Sequence, residues 1–265
     1  MRLHSCEVLN GYDEVNMEAY TSFAQVYDMF MDNVPYTKWS RYIVEKLHAN
    51  GIDSGYVVDL GCGTGKMTTM LADAGYDMIG IDNSMDMLGI ALEKEDDRIL
   101  YLMQDMREFE TGEKVKAIIS ACDSINYIME PDDLEAVFEC VKSNLESGGI
   151  FIFDINTPYK YEVLMADNTI AENRDESSFI WENYYDADEK VNEYDLTLFI
   201  RETSEDEDDL YRKFEETHFQ RCYELSEIKQ LISEAGLVFD AMYDAYTDEP
   251  VKEDSEKVTI IVHKP

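Results

Sequence analysis

The chain has 265 residues, with 22 Lys+Arg against 58 Asp+Glu and a formal net charge of −36. Hydrophobic residues make up 45% and aromatics 12%, enough apolar material to bury a core, so global disorder is excluded despite the charge. Such an acidic surface argues against a nucleic-acid partner, whose phosphates are gripped by Lys and Arg, and against an anionic membrane partner.

Residues 1–16 show no clear periodicity. Over residues 17–31, Tyr20, Phe23, Ala24 and Tyr27 fall on one helical face. A second helix is predicted over about 35–49, with Trp39, Tyr42, Ile43 and Leu47 on its apolar face and Gly51 as a stop signal. Residues 56–60 are a short apolar run of buried-strand length, followed at once by Gly61-Cys62-Gly63-Thr64-Gly65 and a helix over 66–74. A second strand is expected at 78–82, and Asn83 or Ser84 can cap a helix through about residue 93. Strands three and four fall at 99–103 and 115–121. Pro131 opens a helix with Leu134, Val137, Phe138, Val141 and Leu145 on one face, closed by Gly148-Gly149, and a fifth strand follows at 150–155. Short apolar strands alternating with amphipathic helices define an α/β fold with a parallel sheet.

From Asn156 the pattern changes to longer segments at 177–185, 193–203 and 210–223. Their alternation is that of half-buried strands, and acidic links at 186–190 and 204–209 suit hairpins, so an antiparallel layer is expected. A last helix at 224–235 and two strands at 237–246 and 257–263, joined by an acidic hairpin loop, close the chain. With no internal repeat or linker, the reading is one domain over 1–265. It carries an N-terminal helical cap over 17–50 and an antiparallel β insertion over 156–223 as a lid or substrate region.

The five cysteines (Cys6, Cys62, Cys122, Cys140 and Cys222) are odd in number, widely spaced and form no CxxC pair. Neither a disulfide framework nor a zinc site is suggested. The four histidines, His4, His48, His218 and His263, show no ligand spacing, so no metal is expected. The chain begins without an apolar run of signal-peptide length and holds no stretch near the roughly 20 apolar residues of a membrane span, which reads as a cytoplasmic protein.

The sharpest signal is VVDLGCGTG over 57–65. It describes a strand, a glycine turn that lets the backbone approach a ligand, and a helix N-terminus. A dinucleotide site would place its third glycine at position 66, which is Lys66; here the third glycine is Gly65. Asp82 ends the second strand, where a carboxylate can accept both hydrogen bonds of a ribose diol in either cofactor class.

VVDLGCGTG, then GIDNS over 80–84 and QDM over 104–106, resembles the class I S-adenosylmethionine-dependent methyltransferases. Each piece falls at the end of a successive predicted strand. FAQVYDMFM over 23–31, DSINY over 123–127 and the stretch from His218 to Gly236 carry a narrower likeness. That likeness is to small bacterial methyltransferases of unassigned substrate and, more distantly, to glycine N-methyltransferase and the amino-sugar N,N-dimethyltransferases. The resemblance implies a Rossmann-like seven-stranded, mostly parallel sheet with an antiparallel last strand. It also implies S-adenosyl-L-methionine as cofactor and S-adenosyl-L-homocysteine as product.

It further implies residue roles. Gly61, Gly63 and Gly65 would line the methionyl part and ribose, with Cys62 among them, and Asp59 would brace the loop or reach the amino group. Asp82 would hold the ribose hydroxyls. Asn83 and Met87 would flank the adenine; Gln104, Asp105 and Met106 would meet its edge. Cys122 would sit beside the sulfonium, and Tyr20 and Tyr27 would close over the cofactor. Asp123, Tyr127 and His218 are the candidate catalytic residues, with Asn126 and Asn156 as further acceptor contacts and Trp181, Tyr184 and Tyr185 as a candidate aromatic wall. Methyl transfer needs an in-line acceptor in a water-poor site, and a hydroxyl acceptor gains from a general base. The expected activity is transfer of a methyl group to N or O of a small-molecule acceptor. The alternatives are tRNA or protein methylation, a non-catalytic binding module and an NAD-dependent oxidoreductase.

Overall fold

The computed structural model describes residues 23–202 and 210–265. Tyr20, the first turns of the predicted N-terminal helix and the acidic link at 204–209 lie outside the described residues.

The central sheet has seven strands. They are β1 (Tyr56–Leu60), β2 (Asp77–Asp82), β3 (Ile99–Met103), β4 (Val115–Ser120), β5 (Leu145–Asn156), β10 (Val238–Asp244) and β11 (Lys257–His263), in the order β10-β11-β5-β4-β1-β2-β3. β1 to β5 pair in parallel, and β11 runs antiparallel to both β5 and β10. This is the predicted Rossmann-like sheet. β1, β2, β4 and β5 read as nearly continuous apolar runs because both faces are covered, whereas the edge strand β3 leaves Leu100 and Met103 exposed. Val58, Leu60, Ile118, Phe151 and Phe153 pack on one face with Leu134, Val137 and Phe138 from the helix Pro131–Asn144 and Ile228 and Ile232 from Leu225–Glu234. Their neighbours Val57, Ala117, Ile119 and Ile152 point to the other face, onto Ile43 and Leu47 of helix Tyr36–Ala49 and Leu71 of helix Lys66–Asp73. The one-residue alternation between faces is the strand period expressed twice.

The second sheet follows β5 in the chain: β6 (Thr169–Asn173), β7 (Ser177–Asp186), β8 (Val191–Glu202) and β9 (Leu210–Arg221), all antiparallel. Three of these match the expected segments. β6 does not, because this edge strand is mostly exposed and polar and shows no alternation. A helical turn at Lys160–Met165 was also unforeseen. The long helix ends at Asn144 rather than at the glycine pair, because Leu145 already pairs with Val115 of β4.

Helix Ala24–Phe30 lies on the second sheet. Phe23, Val26 and Phe30 pack against Phe179, Leu196 and Leu198, and the Phe30 and Phe179 rings meet edge-on at 4.7 Å. No helix among the described residues is long and apolar enough to cross a membrane.

Candidate active site

Strand order reverses between β1 and β4, the position where open α/β sheets bind ligands beyond their strand ends. A partly open cavity lies there, lined by the ends of β1 and β2 and by the turns after β3 and β4. Its lining contains twelve of the sequence-predicted residues: Tyr27, Asp59, Gly61, Cys62, Gly63, Asp82, Asn83, Met87, Gln104, Asp105, Met106 and Cys122. Tyr127 also faces it.

The glycine corner explains itself locally. Gly61 has φ +74, and a Cβ there would stand 2.6 Å from Ser124 Cβ, so only glycine lets the β1 end and the turn after β4 approach. Gly63 has φ +54, and a Cβ there would meet nothing within 4 Å, so the missing side chain leaves space for a ligand. Gly65 is different. It is buried, and its Cβ position is filled by the Tyr101 hydroxyl at 2.2 Å, so it serves packing and helix entry and does not line the cavity.

Two carboxylates stand on the β1 and β2 ends. Asp82 bridges the loops: its Oδ2 accepts from Gly63 N at 2.7 Å and its Oδ1 from Ser84 N at 2.9 Å. Burial pushes its carboxyl up, partly offset by those amides. Helix capping falls to Ser84, which accepts from Met87 N. Asp59 is 1% exposed, accepts from Thr68 Oγ1 at 2.6 Å, and is pushed up to about 7 by burial. Buried carboxyls of this kind welcome hydroxyl donors and positive charge.

At the β3 end, Asp105 accepts from Arg107 N, Nε and Nη2 at 2.8, 3.0 and 2.7 Å, and Arg107 Nη1 reaches Asp133 Oδ2 at 2.9 Å. Burial raises the Asp105 carboxyl, but Arg107 brings it below its ordinary value. Arg107 and Asp133 line the cavity and were not anticipated from the sequence. Nor was the tie between helix Ala24–Phe30 and the glycine loop. Thr64 Oγ1 donates to Asp28 Oδ1 at 2.7 Å, and Lys94 Nζ donates to Thr64 O at 2.7 Å.

The β4 end is strained. Cys122 and Asp123 have φ +62 and +56, a left-handed conformation that costs a non-glycine residue roughly 1 kcal/mol or more. Asp154 holds it in place: its two oxygens accept from Cys122 N at 2.8 Å and Asp123 N at 2.7 Å. Lys257 Nζ donates to Asp154 Oδ1 at 2.7 Å and Asp123 Oδ1 at 2.6 Å, Gln220 Nε2 donates to Asp123 Oδ2 at 2.8 Å, and Tyr246 donates to Asp154. Burial alone would lower the Lys257 ammonium; the two carboxylates lift it above its ordinary value. The only sequence hint of this cluster was an Asp inside the apolar run FIFDIN.

The three candidate catalytic residues part company here. Tyr127 faces the cavity, whereas Asp123 and His218 do not line it. Asp123 is committed to Lys257 and Gln220. His218, fully buried on β9, lies with Nδ1 3.3 Å from the Tyr127 hydroxyl and stacks on Tyr194 at 5.0 Å. Asn126 and Asn156 are buried away from the cavity: Asn126 Nδ2 donates to the Arg221 carbonyl and its Oδ1 accepts from Asn156 N, while Asn156 Nδ2 donates to the Tyr161 hydroxyl. The aromatic wall does not form: Trp181 packs at a tilt on Tyr194, Tyr185 stacks on Tyr161, and Tyr184 is exposed.

Known proteins match this geometry. A family model described as "Methyltransferase domain" matches residues 57–149. The YqeM protein of Bacillus subtilis (strain 168), named as a methyltransferase, is 31% identical over 242 residues, covering 90% of this chain and 94% of its own. A crystal structure of an S-adenosylmethionine-dependent methyltransferase from Clostridium acetobutylicum ATCC 824 superposes with a TM-score of 0.81 at 30% identity, over 92% of this chain and 98% of that one. A dTDP-3-amino-3,4,6-trideoxy-alpha-D-glucopyranose N,N-dimethyltransferase of Streptomyces venezuelae is 27% identical over 150 residues, 56% of this chain and 62% of its own. The chain belongs to the class I S-adenosylmethionine-dependent methyltransferases, with S-adenosyl-L-methionine as its cofactor. Asp59 and Asp82 beside the open Gly63 position suit a cationic nucleoside that carries a ribose diol.

Proposed function

We propose that this methyltransferase acts on a small-molecule acceptor in the cytoplasm and places the methyl group on nitrogen or oxygen. The observation that carries this reading is the position of Tyr127. It is a protic side chain held by the turn that follows β4, on the wall of the cavity that the glycine corner also lines. The net charge of −36 disfavours a tRNA acceptor, and the N,N-dimethyltransferase relative acts, by its name, on an amino sugar.

In this reading Asp82 takes the ribose hydroxyls, Asn83 and Met87 flank the adenine, and Gln104, Asp105 and Met106 follow its edge. Gly61, Cys62 and Gly63 shape the methionyl slot, Asp59 faces the amino group through the loop, and Cys122 stands beside the sulfonium. The cofactor supplies an activated methyl group; the chain orients the acceptor and excludes water. Tyr27 and helix Ala24–Phe30, backed by the second sheet, form the cover over the site.

Incubation with methyl-labelled S-adenosylmethionine and a fractionated cell extract tests the reading. Label is expected in the small-molecule fraction; label confined to RNA or protein would overturn it. In a thermal-shift assay S-adenosylhomocysteine should raise the melting point and NAD should not.

A further inference from the structure

One face of β9 carries Phe214, Glu216, His218 and Gln220 at the two-residue period of a strand, and the last three are buried. Buried polar side chains are costly unless they have partners. Gln220 is accounted for by Asp123. Glu216 and His218 line up on Tyr127, which is the member of this group that reaches the cavity.

The contacts run in sequence. The Tyr127 hydroxyl hydrogen-bonds the Tyr194 hydroxyl and lies 3.3 Å from His218 Nδ1. On the far side of the ring, His218 Nε2 faces Glu216 Oε2 at 3.4 Å. Glu216 Oε1 accepts from the backbone N–H of Phe23 at 2.9 Å, just before the helix that carries Tyr27. A carboxylate at Nε2 favours the tautomer with its proton there, which leaves Nδ1 as an acceptor toward Tyr127. Stacking of the imidazole on Tyr194, itself packed on Trp181, fixes the ring plane. The groups facing His218 are thus Tyr127 from the turn after β4, Tyr194 from β8 and Glu216 from its own strand.

We propose that Tyr127, His218 and Glu216 form a proton-accepting relay that commits the site to methyl acceptors bearing an N–H or O–H bond. The proposal rests on the methyl-transfer reading above. Methyl transfer breaks the sulfur–methyl bond and forms a bond from methyl to the acceptor nitrogen or oxygen, so the positive charge leaves sulfur for the acceptor. The acceptor's proton passes to the Tyr127 oxygen as the Tyr127 proton passes to His218 Nδ1. The charge then rests on the imidazolium, opposite the Glu216 carboxylate. Tyr127 is the catalytic residue; His218 and Glu216 act through it and are positioning residues. Because Glu216 is fixed by Phe23 N, the relay is complete only when the covering helix is docked.

Two measurements test the proposal. In ¹⁵N-histidine spectra of the full chain, His218 should be neutral with its proton on Nε2, and Glu216→Gln should shift that tautomer; a wild-type His218 protonated on Nδ1 would overturn the relay without any acceptor being present. With methyl-labelled S-adenosylmethionine at saturation and the labelled small-molecule fraction as acceptor, Tyr127→Phe and His218→Gln should slow transfer by roughly 10²-fold or more, the usual reach of general-base catalysis. Glu216→Gln should slow it by roughly 10-fold, with S-adenosylhomocysteine affinity within threefold of wild type in all three. Wild-type rates in Tyr127→Phe or His218→Gln sink the relay. Failure of the wild-type chain to bind S-adenosylhomocysteine sinks the underlying function instead, and the two failures are separate readouts.

Discussion

The cavity wall built from β1 to β3 and the wall built from the end of β4 face the same space but are held together over very different distances in the chain. On the first wall the fixing contacts are local: Asp82 to Gly63 spans 19 residues, Thr68 to Asp59 spans 9 and Arg107 to Asp105 spans 2. On the second they are remote: Lys257 to Asp123 spans 134 residues, Lys257 to Asp154 spans 103, Gln220 to Asp123 spans 97 and Tyr127 to His218 spans 91. The first wall is therefore fixed mainly between neighbouring strand ends, with Thr64 to Asp28, 36 residues apart, as its tie to the covering helix. The second wall is assembled only when the second sheet and the last strand come home.

The strongest way to break this contrast is Lys257→Met. It leaves the buried Asp154, with the half-buried Asp123 beside it, without its compensating cation, which costs about 3–5 kcal/mol. Urea unfolding should show that loss, and the left-handed Cys122-Asp123 turn should relax with it. Gly61→Ala tests the point where the two walls touch. Its methyl group would clash with Ser124 at a positive φ, and a loss of about 2–3 kcal/mol is expected, read as a drop in Tm.

Asp59→Asn sharpens the picture from the other direction. The Asp59 carboxyl, lifted by burial from 3.8 to about 7, keeps a proton in the folded chain that the unfolded chain has already released. The folded state binds more protons between those values, so this group's contribution to stability falls as pH rises through that window and stays low above about 7. Without cofactor, Asp59→Asn should be more stable than wild type at pH 8 by roughly 1–2 kcal/mol, and the two should converge toward pH 4. The smallest effect belongs to Lys213→Ala. Lys213 pairs with Glu215 on the second sheet, but both side chains are exposed, so Tm should stay within roughly 2 °C.

The same difference in range explains what the sequence could tell. VVDLGCGTG, GIDNS and QDM each occupy a few consecutive residues at a strand end, so the central sheet and the first cavity wall were legible before any fold was known. Gly65 belonged to the motif but turned out to fill its place against Tyr101 rather than the cavity, a packing reason that spacing cannot express. Asp123 and His218 were singled out, but their separation from the cavity depends on Lys257, Gln220 and Glu216, which are distant in the chain. Glu216 shared a strand face with Phe214, His218 and Gln220 by its spacing, but that this face turns inward is shown by its burial and by Leu196 opposite Glu216 on β8–β9. β6 went unseen because an exposed edge strand carries no apolar alternation.

The division of labour between the two walls is tested most directly by calorimetric binding of S-adenosylhomocysteine to Asp82→Ala and Tyr127→Phe. The expected result is a loss of roughly 30-fold or more in affinity for Asp82→Ala, about 2 kcal/mol, and no more than threefold for Tyr127→Phe. Equal losses in the two variants, or retained affinity in Asp82→Ala, would contradict the assignment of cofactor binding to one wall and acceptor chemistry to the other.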